Sequence, residues 1–193
     1  MTRVLRYATA PEQPWRNGRG VTRELHAGDG WRLSVATIAA AGDFSFFPGW
    51  DRTFVVAGGR LELTVVDTRY AIGPGRIVRF GGEARVDAVP TEGAAIAVNV
   101  MTDRDCCRAE VQVQRIDGPS PAATVLVLLA GAATVDGVAL EPFDAWGPAA
   151  AGAADGAGAL VAVVTIVRST QSPPGRRLDA DRPEGRGGPA LGT

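Results

Sequence analysis

The sequence predicts an all-β fold: two successive barrels built on one duplicated pattern, followed by a disordered tail. Three observations predict it. Few windows carry a helical period, and none of them is long. Short β-branched runs recur instead, separated by Gly, Pro and Asp-Gly signals, which is the spacing of a sandwich or barrel. The pattern of Thr53 to Val65 then returns at Thr124 to Val135, the mark of a duplicated unit.

The elements follow in order. Val4 to Tyr7 reads as a strand and Pro11 to Arg19 as a loop. Val21 to Ala27 and Trp31 to Ala39 read as a hairpin around Gly28-Asp29-Gly30. A loop from Gly42 to Trp50 leads to strands near Arg52 to Ala57, Arg60 to Asp67, Ile77 to Phe80, Arg85 to Ala88 and Ala95 to Met101. Val111 to Ile116 is a further strand, and a joint follows at Pro119 and Pro121. Each repeat is an apolar strand, a Gly-containing tight turn and a second strand. A Pro-containing element comes next (Gly73-Pro74-Gly75; Pro142 to Trp146), then a last strand (Ala95 to Met101; Leu160 to Val167). Gly, Pro, Arg and Asp dominate residues 169–193, which cannot bury enough surface to fold. The predicted boundaries are therefore an N-terminal half, 1–118, a smaller C-terminal half, 119–168, and a tail, 169–193.

Composition removes several chemistries. All 20 cationic residues are Arg, so a Schiff-base, P-loop or general-base lysine is excluded. Arg keeps its charge and forks onto carboxylates, which makes it the cation to seek in an anion site. The net charge is -1 and the pI about 5.9; no basic excess exists for a nucleic-acid backbone. No apolar run is long enough for a signal peptide or a spanning helix, so no membrane partner and a cytoplasmic location are expected. Cys106 and Cys107 are adjacent, where a mutual disulfide is strained, and they read as reduced thiols.

Alternation along the strands places polar residues in register with each other. Thr22 and Glu24 share a face opposite Val21, Arg23 and Leu25; Arg32 and Ser34 share a face opposite Trp31, Leu33 and Val35. Ala97, Asn99 and Met101 lie opposite Ile96, Val98 and Val100. The pattern alone does not say which faces point inward. Phe44 to Arg52 carries four aromatics in a Pro-Gly loop. They either cap an open barrel end or wall a pocket with Arg52 at its base.

These residues resemble a known family. Pro14-Trp15-Arg16-Asn17-Gly18-Arg19-Gly20-Val21-Thr22-Arg23-Glu24-Leu25, then Trp31 to Ala36, then Phe44-Ser45-x-Phe47-Pro48-Gly49-x-Asp51-Arg52, then Asn99 to Thr102, are similar to the HutD/Ves family. The likeness covers roughly residues 1–170. It implies a bicupin, two RmlC-like jelly-roll barrels, and a role in histidine utilisation. It also implies binding of a small organic acid such as urocanate or a formylated amino acid. The residues implied for the pocket are Asn17, Thr22, Glu24, Arg32, Ser34, Asp51, Arg52 and Asn99. Phe44, Phe47 and Trp15 would close its apolar side. Arg19 interrupts a run of glycines usual in the family, and Asp43 stands where proline is common.

No metal or other cofactor is expected. A cupin metal site needs several His, and His26 is alone; by alternation it follows the face of Thr22 and Glu24. No Gly-x-Ser-x-Gly elbow supports nucleophilic catalysis. A Glu24/Asp51 acid–base pair is conceivable, against the preferred reading that each carboxylate pairs with an arginine such as Arg32 or Arg52. The expected function is a metabolite-binding or regulatory module. A metal-free cupin enzyme (isomerase, lyase or hydrolase) and an interaction protein with a filled barrel are the alternatives, and a homodimer is left open.

Overall fold

The structure, a computed structural model, describes residues 4–147 and 154–169. Among them there are sixteen strands and no helix. In chain order the first eight are β1 (Val4–Leu5), β2 (Glu12–Pro14), β3 (Gly20–Gly28), β4 (Trp31–Ile38), β5 (Gly42–Asp43), β6 (Trp50–Gly58), β7 (Leu61–Val65) and β8 (Thr68–Ile72). The rest are β9 (Ile77–Gly81), β10 (Val86–Pro90), β11 (Ala95–Asp103), β12 (Cys107–Pro119), β13 (Val125–Val135), β14 (Val138–Leu140), β15 (Ala145–Trp146) and β16 (Asp155–Arg168).

They form three sheets. The first runs β2-β3-β4-β11-β6-β9, the second β5-β10-β7-β8, and the third β1-β15-β13-β16-β12 with β14 on β13. The first sheet is the middle layer, with apolar cores on both faces. Leu33, Val35, Val55, Val98 and Val100 pack against Val111, Val125, Val127, Leu129 and Val164 of the third sheet. Ile38, Phe54, Val56, Ala95 and Ala97 pack against Leu61, Leu63, Ile72, Val86 and Ala88 of the second. Runs buried on both faces lose strict polar alternation, which is why β6 and β11 read as almost continuous apolar strands. β1 and β12 both hydrogen-bond into the third sheet. A buried carboxylate ties the chain start there: Asp144 accepts from Arg6 Nη1 at 2.5 Å, Tyr7 N at 2.9 Å and Glu141 N at 3.0 Å.

Several elements differ from the sequence expectation. Pro11 to Arg19 reads as a loop, yet Glu12–Pro14 pairs with β3; Pro14 is tolerated because this is an edge strand. The β7–β8 hairpin turns at Val66-Asp67, with Val66 at φ 55. A β-branched residue there hides the Asn-Gly or Asp-Gly signal that marks such turns. Gly131 is expected in a tight turn, but β13 runs through it, with register shifts between Leu128 and Ala132. Gly131 has φ 87, and a Cβ there would lie 3.0 Å from Ala159 Cα. A glycine of that kind serves a bulge as well as a turn; the neighbouring strand β16 makes it a bulge. The last strand of the second repeat starts earlier than expected, since Asp155 to Ala159 already belong to β16. The expected tail lies outside the described residues except for Ser169.

Candidate functional site

Register across β4, β11 and β6 builds the floor of one cavity. Met101 sits opposite Arg32 on one side and Arg52 on the other; Asn99 sits opposite Ser34 and Phe54; Ala97 sits opposite Ala36 and Val56. Directly opposed residues share a face, so these rows run in order from an arginine row, through a Ser–Asn row, to an apolar row. The face is the one turned toward the second sheet. The polar residues of β4 and β11 therefore point inward, which the sequence pattern alone leaves open.

The cavity has a volume of about 340 Å³. Its lining takes Trp15 and Asn17 from the β2–β3 segment, Thr22 from β3, and Phe44 and Phe47 from the loop before β6. Trp15 Nε1 donates to Thr22 Oγ1 at 2.8 Å, and its ring meets Phe44 edge-on at 6.0 Å. Asn17 Oδ1 accepts the Arg19 N–H at 3.0 Å, next to Gly18 at φ 67, an Asx-type turn. Arg19 itself points away from the cavity and donates to the Ala41 carbonyl; its main-chain oxygen receives the N–H groups of Ala39 and Ala40. The residue that interrupts the family's glycine run thus fastens two rim loops together. Asp43 lines the rim, opposite Asp87 of β10.

Arg52 is the centre of the site. Only 7% of it is exposed. Its guanidinium carbon lies 5.2, 5.4 and 5.7 Å from the ring centres of Phe44, Phe47 and Phe80, within cation–π range. Nη2 reaches the Ser45 carbonyl at 3.4 Å, while Nε is buried with no acceptor. Burial first, then the charge of Arg32, lower its pKa from 12.5 to about 10. It stays cationic at neutral pH, and among the described residues no carboxylate pairs with it. Asn99 Oδ1 is also buried without a partner. Such groups are costly to leave unmet, and together they present a cation and a neutral acceptor to the same space.

A sequence model of the HutD family matches residues 7–154. The chain belongs to the HutD family. It is 37% identical over 116 residues to Protein Ves of Citrobacter koseri, an alignment covering 53% of this chain and 59% of that one. It is 36% identical over 112 residues to Protein Ves of Cronobacter sakazakii, covering 53% and 61%. The match thus spans about three fifths of those relatives. Among solved structures, the conserved protein of unknown function PA5104 from Pseudomonas aeruginosa PAO1 superposes with TM-score 0.73 at 28% identity, over 88% of this chain and 100% of that one. HutD from Pseudomonas fluorescens SBW25 gives 0.72 at 29%, with the same coverage. The Ylba protein of E. coli shares the fold alone, at 0.56 and 9% identity, over 85% of this chain and 86% of that one.

In this HutD-family chain, nine of the expected pocket residues line the cavity: Trp15, Asn17, Thr22, Arg32, Ser34, Phe44, Phe47, Arg52 and Asn99. Glu24 and Asp51 do not. Glu24 Oε2 lies 2.5 Å from Arg32 Nε and holds that arginine from behind. Asp51 is exposed and pairs with Arg104 Nε at 2.6 Å, and Glu83 takes Nη2 of the same arginine at 2.7 Å. That hydrogen bond holds the Glu83 carboxyl below its usual range. Asp51 sits opposite Thr102 and one residue before Arg52, so the pleat sends it to the other face. The carboxylate–arginine pairing is as expected in kind, but Asp51 takes Arg104 rather than Arg52. His26 departs from the face of Thr22 and Glu24 because a register shift falls between Glu24 and His26. It stacks on Trp31 at 4.0 Å, against the core shared with the third sheet. Among the described residues, no group of three or more His, Cys, Asp or Glu could hold a metal ion.

Gln13, Pro14, Arg16 and Ser45 also line the cavity and are not among the residues expected there. Gln13 and Pro14 belong to the unexpected edge strand. Met101 had a usable signal, since it shares the face of Asn99. No helix among the described residues is long and apolar enough to cross a membrane.

Proposed function

We propose that this protein binds a small carboxylate-bearing metabolite in the Arg32–Arg52 cavity and thereby moderates histidine utilisation. The observation that carries the reading is Arg52: a buried cation, walled by aromatic rings, with no carboxylate of its own among the described residues. An organic acid supplies the missing charge through paired N–H···O contacts. Asn99 and Ser34 offer neutral hydrogen bonds beside it, and Trp15, Phe44 and Phe47 accommodate a flat apolar portion. Urocanate or a formylated amino acid suits that combination. The histidine-utilisation context is what the family resemblance implies, and the HutD-family match supports that resemblance. Within the same reading the two halves are a duplicated bicupin divided near residue 118, and the protein works in the cytoplasm.

The alternative, a metal-free cupin enzyme using Glu24 or Asp51 as acid or base, has less support. Glu24 is engaged by Arg32, and Asp51 by Arg104 outside the cavity. A thermal-shift screen with urocanate, histidine, formylglutamate and formiminoglutamate tests the proposal, because a ligand that binds only the native state raises its melting point. One of these acids should stabilise the protein, and Arg52→Ala should abolish the shift. No stabilisation by any of them, or an unchanged shift in both Arg52→Ala and Arg32→Ala, would sink it. NMR analysis of the mixture separates binder from enzyme: the ligand should be recovered unchanged.

A further inference from the structure

Outside the lining of the cavity, the β11–β12 connection brings two thiols together. Cys106 Sγ and Cys107 Sγ lie 3.6 Å apart. Neighbouring residues of an extended strand point to opposite faces, so this proximity comes from the tight turn before β12, where Cys106 N donates to Asp103 O at 3.2 Å. The turn is fastened to the β3–β4 hairpin: Asp103 N donates to Gly30 O at 2.9 Å, and Cys107 Sγ lies 2.9 Å from the same oxygen. Gly30 leaves the space that Cys106 fills, since a Cβ there would lie 2.1 Å from Cys106 Sγ. The two sulfurs have unequal access. Cys106 is half-buried, whereas Cys107 is 3% exposed and belongs to the core between the first and third sheets.

We propose that Cys106 and Cys107 form a modification site that low-molecular-weight disulfides oxidise reversibly to a vicinal disulfide. The pair needs to close by only about 1.5 Å to reach the bonded distance of about 2.05 Å. In the first step the Cys106 thiolate attacks one sulfur of the small disulfide and expels the other half as a thiolate. Cys107 then loses its proton to solvent and attacks Cys106 Sγ, which forms the Cys106–Cys107 bond and expels the second half. Two protein thiols are oxidised, one external disulfide is reduced to two thiols, and the proton balance closes between them. Burial pushes the Cys107 thiol up to about 12, so the outer Cys106 meets the reagent and Cys107 resolves it. The ring formed by adjacent cysteines is strained, so thiols reopen it readily. Closure withdraws Cys107 from the Gly30 carbonyl and loosens the hairpin whose strands carry Thr22, Glu24, Arg32 and Ser34.

The test uses the full chain and oxidised glutathione, followed by alkylation, trypsin and mass spectrometry without reductant. Trypsin releases both cysteines in one peptide, Asp105 to Arg108. The expected peptide is unalkylated and two hydrogens lighter than the dithiol, and dithiothreitol restores double alkylation. Cys107→Ala should instead accumulate glutathione on Cys106. Double alkylation after oxidation, a stable glutathione adduct on the unsubstituted chain, or a disulfide between two chains would overturn the proposal.

Discussion

Replacing Arg52 with methionine should stabilise the empty protein while destroying its anion affinity. A pKa drawn from 12.5 to about 10 corresponds to roughly 3 kcal/mol of disfavour for the buried charge, at about 1.4 kcal/mol per unit. Against this stand three aromatic faces around the guanidinium. At about 0.5–1 kcal/mol each they recover roughly 2 kcal/mol. Methionine keeps an unbranched apolar stem in the same space and asks for neither solvent nor counter-ion. The net gain is about 1 kcal/mol, which for a chain of this size raises Tm by roughly 2–4 °C. The assay is thermal unfolding of both proteins without ligand at neutral pH, then with a saturating small carboxylate. The unsubstituted protein should overtake the variant once ligand is present. A lower Tm for Arg52→Met in the empty state would refute the reasoning, because it would mean that the guanidinium already has what it needs.

Other outcomes follow from the same contacts. Asp144→Ala strands Arg6 and the N–H groups of Tyr7 and Glu141 at a site only 1% exposed; it should cost about 3 kcal/mol in urea unfolding, and a loss below about 1 kcal/mol would show that the knot is not structural. Asp51→Asn should leave ligand affinity unchanged, since Asp51 faces Arg104; calorimetry showing a tenfold loss would place it in the site. Glu24→Gln removes the counter-ion of Arg32 and should strengthen binding of a small anion several-fold, whereas an essential acid–base role predicts loss of turnover. The hydrogen bond that protonated Asp87 donates to Asp43 raises the Asp87 carboxyl above its ordinary value. An acid raised in the folded state binds more protons there, so stability falls as pH rises from the ordinary carboxylate range through the raised value. Asp43→Asn should therefore raise the melting point at neutral pH and raise it much less at about pH 3, below the ordinary carboxylate range; equal effects at the two pH values would exclude this coupling.

Much of the site was legible because strand alternation is local. Arg32 with Ser34, and Asn99 with Met101, follow from counting by two, and the aromatic loop before Arg52 marked a wall. The errors have local causes too. A bulge after Glu24 turned His26 to the other face, and counting cannot see a bulge that no glycine announces. Asp51 precedes Arg52 by one residue, so membership of one motif did not mean membership of one face. Gln13 entered the wall through an edge strand whose partner, β3, lies beyond a loop.

The sequence by itself determined that the protein is β-structured, that its cations are all arginines, and which polar side chains share a face. Only the tertiary structure decided which face is inside. The first sheet is covered on both sides, by the second sheet and by the third, so the polar rows of β4 and β11 have no solvent face to occupy. Direction is a property of what packs against a strand, and that partner comes from a distant part of the chain. The same packing leaves Arg52 buried, ringed by phenylalanines and without a carboxylate among the described residues, which makes an arginine in a motif a candidate anion site.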